Sequence, residues 1–137
     1  MNRRDFMIAT AAISLAAPLP AMAGMGKDVA YTPEALQTAL ADGQTVFLDF
    51  KASWCTTCAA QGRVIEALRE EDPAYDAGIT FMPVDWDEWK DSQIVTDLNV
   101  PRRSTLIVLR GDQELGRIIA GTAQKDIKAL LDRALQA

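Results

Sequence analysis

The sequence predicts an α/β domain: a mixed central sheet, made of a parallel pair plus an antiparallel hairpin, with helices on both faces. Three observations predict it. Helix and strand patterns alternate along the chain, a helical crossover joins two long apolar strands, and a tight turn joins the last two strands before a closing helix. The implied order is α, β, α, β, α, β, β, α.

Each element has its own signal. Thr32-Pro33-Glu34 reads as a helix start, with an N-cap, proline at the first helical position and an acid in the first turn. Leu36 and Leu40 continue that helix, and Asp42-Gly43 stops it. "TVFLDFKA" (45–52) is rich in β-branched and aromatic residues and reads as a largely buried strand. A helix follows over 55–71, with Ala59, Val64, Ile65 and Leu68 on its apolar side and Pro73 as its stop. "GITFMPV" (78–84) is a second buried strand, parallel to the first. Ile94, Val95 and Leu98 place a helix over about 88–98. "STLIVLR" (104–110), a Gly111-Asp112 turn and "ELGRIIA" (114–120) form the hairpin. Gly121-Thr122 is expected to cap the last helix, whose apolar face carries Ile127, Leu130, Leu131, Ala134 and Leu135.

The amino terminus addresses location. Arg3 and Arg4 precede the apolar stretch from Phe6 to Ala17, and Pro18, Pro20 and Ala21-Met22-Ala23 follow. A charged start, a short apolar run and small residues at its end make a signal peptide over 1–23, with cleavage expected after Ala23 and delivery to the periplasm. Proline breaks the run well short of the ~20 apolar residues of a membrane span, although an uncleaved anchor is the alternative. "NRRDFMI" is similar to a bacterial twin-arginine export signal. Residues 24–31 are expected to be a flexible lead-in, leaving one domain over 32–137.

Loss of Arg3, Arg4 and Asp5 takes the formal charge from −5 to −6. An acidic domain without a basic run is a poor nucleic-acid binder. The chain has no histidine, which removes Cys-His and Ser-His catalysis and every His-based metal site. Chemistry falls to cysteine, carboxylate, hydroxyl or backbone.

The only two cysteines stand in "KASWCTTCAAQ" (51–61), at the junction of the first long strand and its helix. A CxxC at that point of a βαβ pattern reads as a redox pair. Cys55 falls at the helix N-terminus, where unpaired N–H groups and the helix dipole favour a thiolate, the species that attacks a disulfide. Cys58 lies one turn further in, turned from solvent and close enough to resolve a mixed disulfide. The helix terminus and its exposure both favour Cys55 as the nucleophile. Asp49 lies six residues before Cys55 within an apolar strand, so partial burial and a raised pKa are expected, from where it can exchange a proton with Cys58. The alternative is that strand alternation turns Asp49 to solvent.

"FLDFKASWCTTCAA" (47–60), "LNVPRRSTLIVLRGD" (98–112) and "IIAGT" (118–122) resemble the thioredoxin superfamily. They are most similar to the C-terminal periplasmic domain of thiol:disulfide interchange proteins of the DsbD type, here as a stand-alone chain. The resemblance spans about 45–135 and implies a thioredoxin-like fold and dithiol–disulfide exchange. It assigns Cys55 as nucleophile, Cys58 as resolving thiol and Asp49 as proton relay, and no cofactor is expected. It also implies a disulfide-bonded protein or small thiol as substrate, a membrane electron donor of the DsbD type, and a monomer.

The sequence departs from the family at one place. The family's substrate loop normally ends in a cis-proline followed by threonine. Here Ser104 occupies the proline position and Thr105 the threonine, with Pro101 three residues too early. A cis bond before a non-proline costs ~3–4 kcal/mol, so a trans Arg103–Ser104 bond is expected. Both the hydroxyl and the N–H of Ser104 are then expected within reach of Cys55, where the hydroxyl either stabilises the thiolate or opens room for a metal ion, the alternative being a purely structural loop substitution. Trp54 is expected as an exposed platform flanking the site, with Arg103, Ser104 and Thr105 lining the substrate groove. Arg102 and Arg103 either add positive potential near Cys55 or form a solvated loop. Lys51 carries no assigned role. "DWDEWKD" (85–91) reads as helix capping with Trp86 and Trp89 over the core edge, and its spacing is not that of a calcium loop.

The reading is a periplasmic disulfide reductase. Its rivals are a thiol oxidase or isomerase, and a module binding Cu(I) or, across a dimer, zinc through Cys55 and Cys58.

Overall fold

The computed structural model describes residues 28–137. The expected signal peptide, its cleavage point and most of the lead-in lie outside the described residues. Among the described residues no helix is long and apolar enough to cross a membrane.

Strand β1 (Thr45–Lys51) sits at the centre of the molecule. It pairs in parallel with β2 (Thr80–Asp85) and antiparallel with β3 (Thr105–Arg110), which in turn pairs antiparallel with β4 (Gln113–Ile119). The sheet order is β2-β1-β3-β4, the predicted mixed sheet. Gly111, at φ 59°, makes the β3–β4 turn in a backbone region that suits glycine.

Alternation along β1 divides the core in two. Phe47 faces the layer formed by α2 (Thr56–Glu71), α3 (Pro73–Gly78) and α6 (Gln124–Leu135), where it meets Leu68, Tyr75, Leu106, Ile127 and Leu131. Val46, Leu48 and Phe50 face the opposite layer, which contains α1 (Pro33–Ala41), α4 (Trp86–Trp89) and α5 (Gln93–Asp97). Full burial of one such side chain stabilises by about 1.5–3 kcal/mol, so losing either face would unmake the sheet. Helix α1 begins as expected, with Thr32 Oγ1 accepting the Ala35 N–H at 3.0 Å and Pro33 in the first turn.

Five local expectations are corrected. Val29 donates to Phe81 O at 2.9 Å and Tyr31 to Pro83 O at 3.1 Å, so the described part of the lead-in runs along the free edge of β2. Pro73 ends α2 but also opens α3, because the Asp72 carboxylate caps Ala74 N at 2.9 Å. The helix expected over 88–98 is two short helices separated at residues 90–92. Helix α6 starts at Gln124 after an Ala123 N-cap that makes no side-chain cap bond, so Gly121-Thr122 does not cap it. On α2, Ala59 is exposed, and the inward face is Cys58, Gln61, Ile65 and Leu68.

Candidate active site

Cys55 and Cys58 are joined by a disulfide at the start of α2. Cys55 is the N-cap residue, and its Sγ accepts the Cys58 N–H at 3.1 Å. A sulfur that takes the place of a capping oxygen in this way is the one whose negative charge the helix terminus favours. The expected difference in exposure is absent: Cys55 is 4% and Cys58 2% exposed. Their difference is one of position, cap against first turn. Ala52 and Trp86 pack against the pair.

Asp49 points to the α2 face of the sheet, the face of Phe47, and not to solvent. It lines one open groove with Cys55, Cys58, Lys51 and Arg69. Its Oδ1 is shut off from solvent and has no hydrogen-bond partner among the described residues. Burial pushes its pKa up to about 6, against a downward pull from Lys51 and with a further upward push from Asp28. A carboxyl group so placed changes protonation close to neutral pH.

Ser104 lies immediately before β3, and no peptide bond among the described residues is cis, so the Arg103–Ser104 bond is trans. Its backbone instead adopts φ 63°, left-handed and uncommon for a residue with a side chain. Ser104 Oγ stands 3.2 Å from Cys55 Sγ and 3.1 Å from Cys58 Sγ. Its N–H does not approach the sulfurs, because it donates to Phe50 O at 2.7 Å.

The remaining groove residues divide. Trp54 is 56% exposed, with its Nε1–H on both carboxylate oxygens of Asp87 at 3.1 and 3.0 Å. The Arg103 guanidinium lies over the Trp54 ring, 4.5 Å from its centroid. Thr105 is fully buried and donates its hydroxyl to Arg102 O at 2.7 Å, which withdraws it from the expected groove. Arg102 Nε donates to Arg103 O at 3.1 Å, and Lys51 is exposed beside Asp49.

Sequence reasoning missed three residues around the pair. Gln61, a fully buried amide one turn after Cys58, donates to Ser104 O at 3.0 Å and Gly121 O at 2.9 Å. A polar residue at the 58-61-65-68 inward spacing was its signal. Trp86 covers the cysteines and Asp87 holds Trp54, contacts between residues far apart in the sequence that leave no local trace.

The thioredoxin family model matches residues 27–133 of this chain. The chain belongs to the thioredoxin family. It is 30% identical over 93 residues to thioredoxin H-type of Fagopyrum esculentum, covering 68% of this chain and 73% of that one. It is 26% identical over 132 residues to the thiol:disulfide interchange protein TxlA of Synechococcus elongatus, covering 96% of this chain and 68% of the relative. Among solved structures it is similar to Trxlp from Edwardsiella tarda EIB202, with a TM-score of 0.66 and 30% identity over 75% of this chain and 98% of that one. A thioredoxin-family chain with a Cys55–Cys58 pair at this junction is a thiol-disulfide oxidoreductase acting on disulfide substrates.

Proposed function

We propose that this thioredoxin-family protein is an exported disulfide reductase in which Cys55 attacks, Cys58 resolves and Asp49 carries the proton. The observation that carries the reading is the Cys55 sulfur in the N-cap position of α2, with Cys58 inside the first turn. The Cys55 thiolate attacks one sulfur of a substrate disulfide, forming a mixed disulfide and expelling the other substrate sulfur as a thiolate. Asp49 accepts the Cys58 proton through the shared groove. The Cys58 thiolate then attacks Cys55 Sγ, breaking the mixed disulfide, releasing the second substrate thiolate and closing the Cys55–Cys58 bond. Trp54 and Arg103 form the lip against which the substrate chain rests.

Export is supported by the basic start, apolar run and Ala21-Met22-Ala23 of the sequence. An exported reductase needs electrons from across a membrane, and the DsbD-like motifs favour a membrane donor of that type and a monomeric carrier. One observation favours the oxidase or isomerase reading: Ser104 beside both sulfurs stabilises a thiolate, and thus the reduced form.

The test is Cys58→Ser incubated with a disulfide-bonded peptide. The reading predicts a stable mixed disulfide on Cys55 and none on Cys58 in Cys55→Ser. The wild-type potential is predicted on the reducing side of the glutathione pool, below about −220 mV. A higher value favours oxidase or isomerase work.

A further inference from the structure

We propose that Gln61 is the positioning residue of this site: its buried carboxamide clasps the two loops beside the disulfide and holds the Ser104 hydroxyl against both sulfurs. The proposal rests on the reading of Cys55–Cys58 as the working dithiol and adds a residue that the chemistry does not touch directly.

The geometry begins with a conformation that needs support. Ser104 at φ 63° is in a region that a side-chain-bearing residue occupies at a cost, and such residues persist where their surroundings over-determine them. Here both main-chain polar groups of Ser104 are held. Its N–H is bound to Phe50 O at 2.7 Å, and its carbonyl accepts Ala120 N at 2.8 Å and Gln61 Nε2 at 3.0 Å. Ala120 is itself left-handed, at φ 61°, and the next carbonyl, Gly121 O, takes the second Gln61 N–H at 2.9 Å. One amide group thus ties the loop entering β3 to the loop leaving β4.

Two further facts favour a tie over simple filling. The reversed amide orientation would set Gln61 Oε1 against two carbonyl oxygens, so the donor assignment follows from the partners. With Nε2 donating to both carbonyls, Oε1 is left buried without a partner among the described residues. An unmet acceptor is costly to bury, and an apolar side chain would fill this place without that penalty. What the amide adds is its two donors, both directed at the loops around Ser104.

The consequence is a redox one. In the dithiol, the Ser104 O–H donates to the Cys55 thiolate and favours its charged form. The disulfide has no such charge to stabilise. A clasp that keeps the hydroxyl in place therefore favours the reduced state, and loosening it shifts the couple toward the disulfide.

The experiment replaces Gln61 by methionine, similar in length and volume but without N–H groups, in two backgrounds. Equilibration with glutathione is the readout. In otherwise wild-type protein, Gln61→Met is expected to shift the equilibrium toward the disulfide by about tenfold, or about 30 mV in potential. Combined with Ser104→Ala, the same substitution should produce no further shift, because the hydroxyl it positions is gone. An unchanged potential in the first background, or equal shifts in both, overturns the proposal and leaves Gln61 a structural residue. Should Gln61→Met not fold, nuclear magnetic resonance of the wild type decides. Slowly exchanging Gln61 side-chain amide protons, coupled across hydrogen bonds to the Ser104 and Gly121 carbonyls, support the clasp, and fast exchange like that of a solvent amide refutes it. Wild-type protein that does not equilibrate with glutathione at all would count against the dithiol reading, and the resonance measurement would still judge the clasp.

Discussion

Ser104 meets Cys55 through its hydroxyl alone: Oγ lies 3.2 Å from Sγ while the Ser104 N–H is bound to Phe50 O. That separates the side chain's contribution from the backbone's. Ser104→Ala removes one hydrogen bond to a thiolate and leaves the main chain in place. Such a bond is worth ~1.5–3 kcal/mol, so the reduction potential should fall by about 30–60 mV. A glutathione titration measures it, and an unchanged or higher potential would show that the hydroxyl does not stabilise the thiolate.

The backbone of Ser104 makes an independent prediction. At φ 63°, glycine is at no disadvantage and alanine pays about 1 kcal/mol, so oxidised Ser104→Gly should be more stable than oxidised Ser104→Ala by that amount. Ser104→Pro tests something else. Proline cannot adopt this φ and removes the donor to Phe50 O, so it remodels the loop as well as deleting the hydroxyl. Denaturant unfolding of the three variants checks the order, and greater stability of the alanine variant would contradict the left-handed backbone.

Asp49 predicts a pH dependence. Its pKa is raised from 3.8 to about 6, so the native state holds the proton more tightly than the unfolded chain. Stability therefore falls as pH rises from about 4 to about 6, and above that range the buried charge costs about 3 kcal/mol. Asp49→Asn should be more stable than wild type at pH 7, by up to that amount, with the advantage shrinking as pH falls below about 6 and absent below about 4. The same variant should exchange disulfides more slowly at neutral pH. Parallel stability curves for the two proteins between pH 3 and 8 would contradict the buried, unpartnered carboxyl.

Trp54 and Asp87 predict a split between catalysis and potential. Asp87→Ala removes the acceptor of the Trp54 Nε1–H and leaves the exposed indole held only by the stacked Arg103 guanidinium. A severalfold fall in kcat/KM toward a protein disulfide is expected, with the potential unchanged because neither side chain hydrogen-bonds a sulfur. A shifted potential with unchanged kcat/KM would reverse that assignment.

What the sequence disclosed depended on how local the signal was. The β-branched and aromatic run in "TVFLDF", the CxxC at its junction and the Gly111-Asp112 turn each act over a few residues, and the strands and their pairing followed. Helix α3 is hidden in the sequence because Asp72-Pro73 is at once the end of one helix and the cap of the next, and a proline after a helical run signals a stop. The break between α4 and α5 was overridden by Ile94, Val95 and Leu98, which suggest one longer helix. At the site, Cys55, Cys58, Asp49 and the reach of the Ser104 hydroxyl were legible. The left-handed backbone of Ser104, the withdrawal of Thr105 and the near-complete covering of Cys55 were not. Those depend on Phe50, Gln61, Trp86 and Ala120, which reach the site only when the sheet and its loops are assembled.

The inequality of the two thiols is the central claim, and pH-dependent alkylation of the reduced protein, read by mass spectrometry at each cysteine, tests it most directly. The N-cap position of Cys55 predicts that it titrates below the free-cysteine value of ~8.5 and reacts first, with Cys58 far slower at every pH. Equal reactivity at the two sulfurs, or faster labelling of Cys58, would contradict the account.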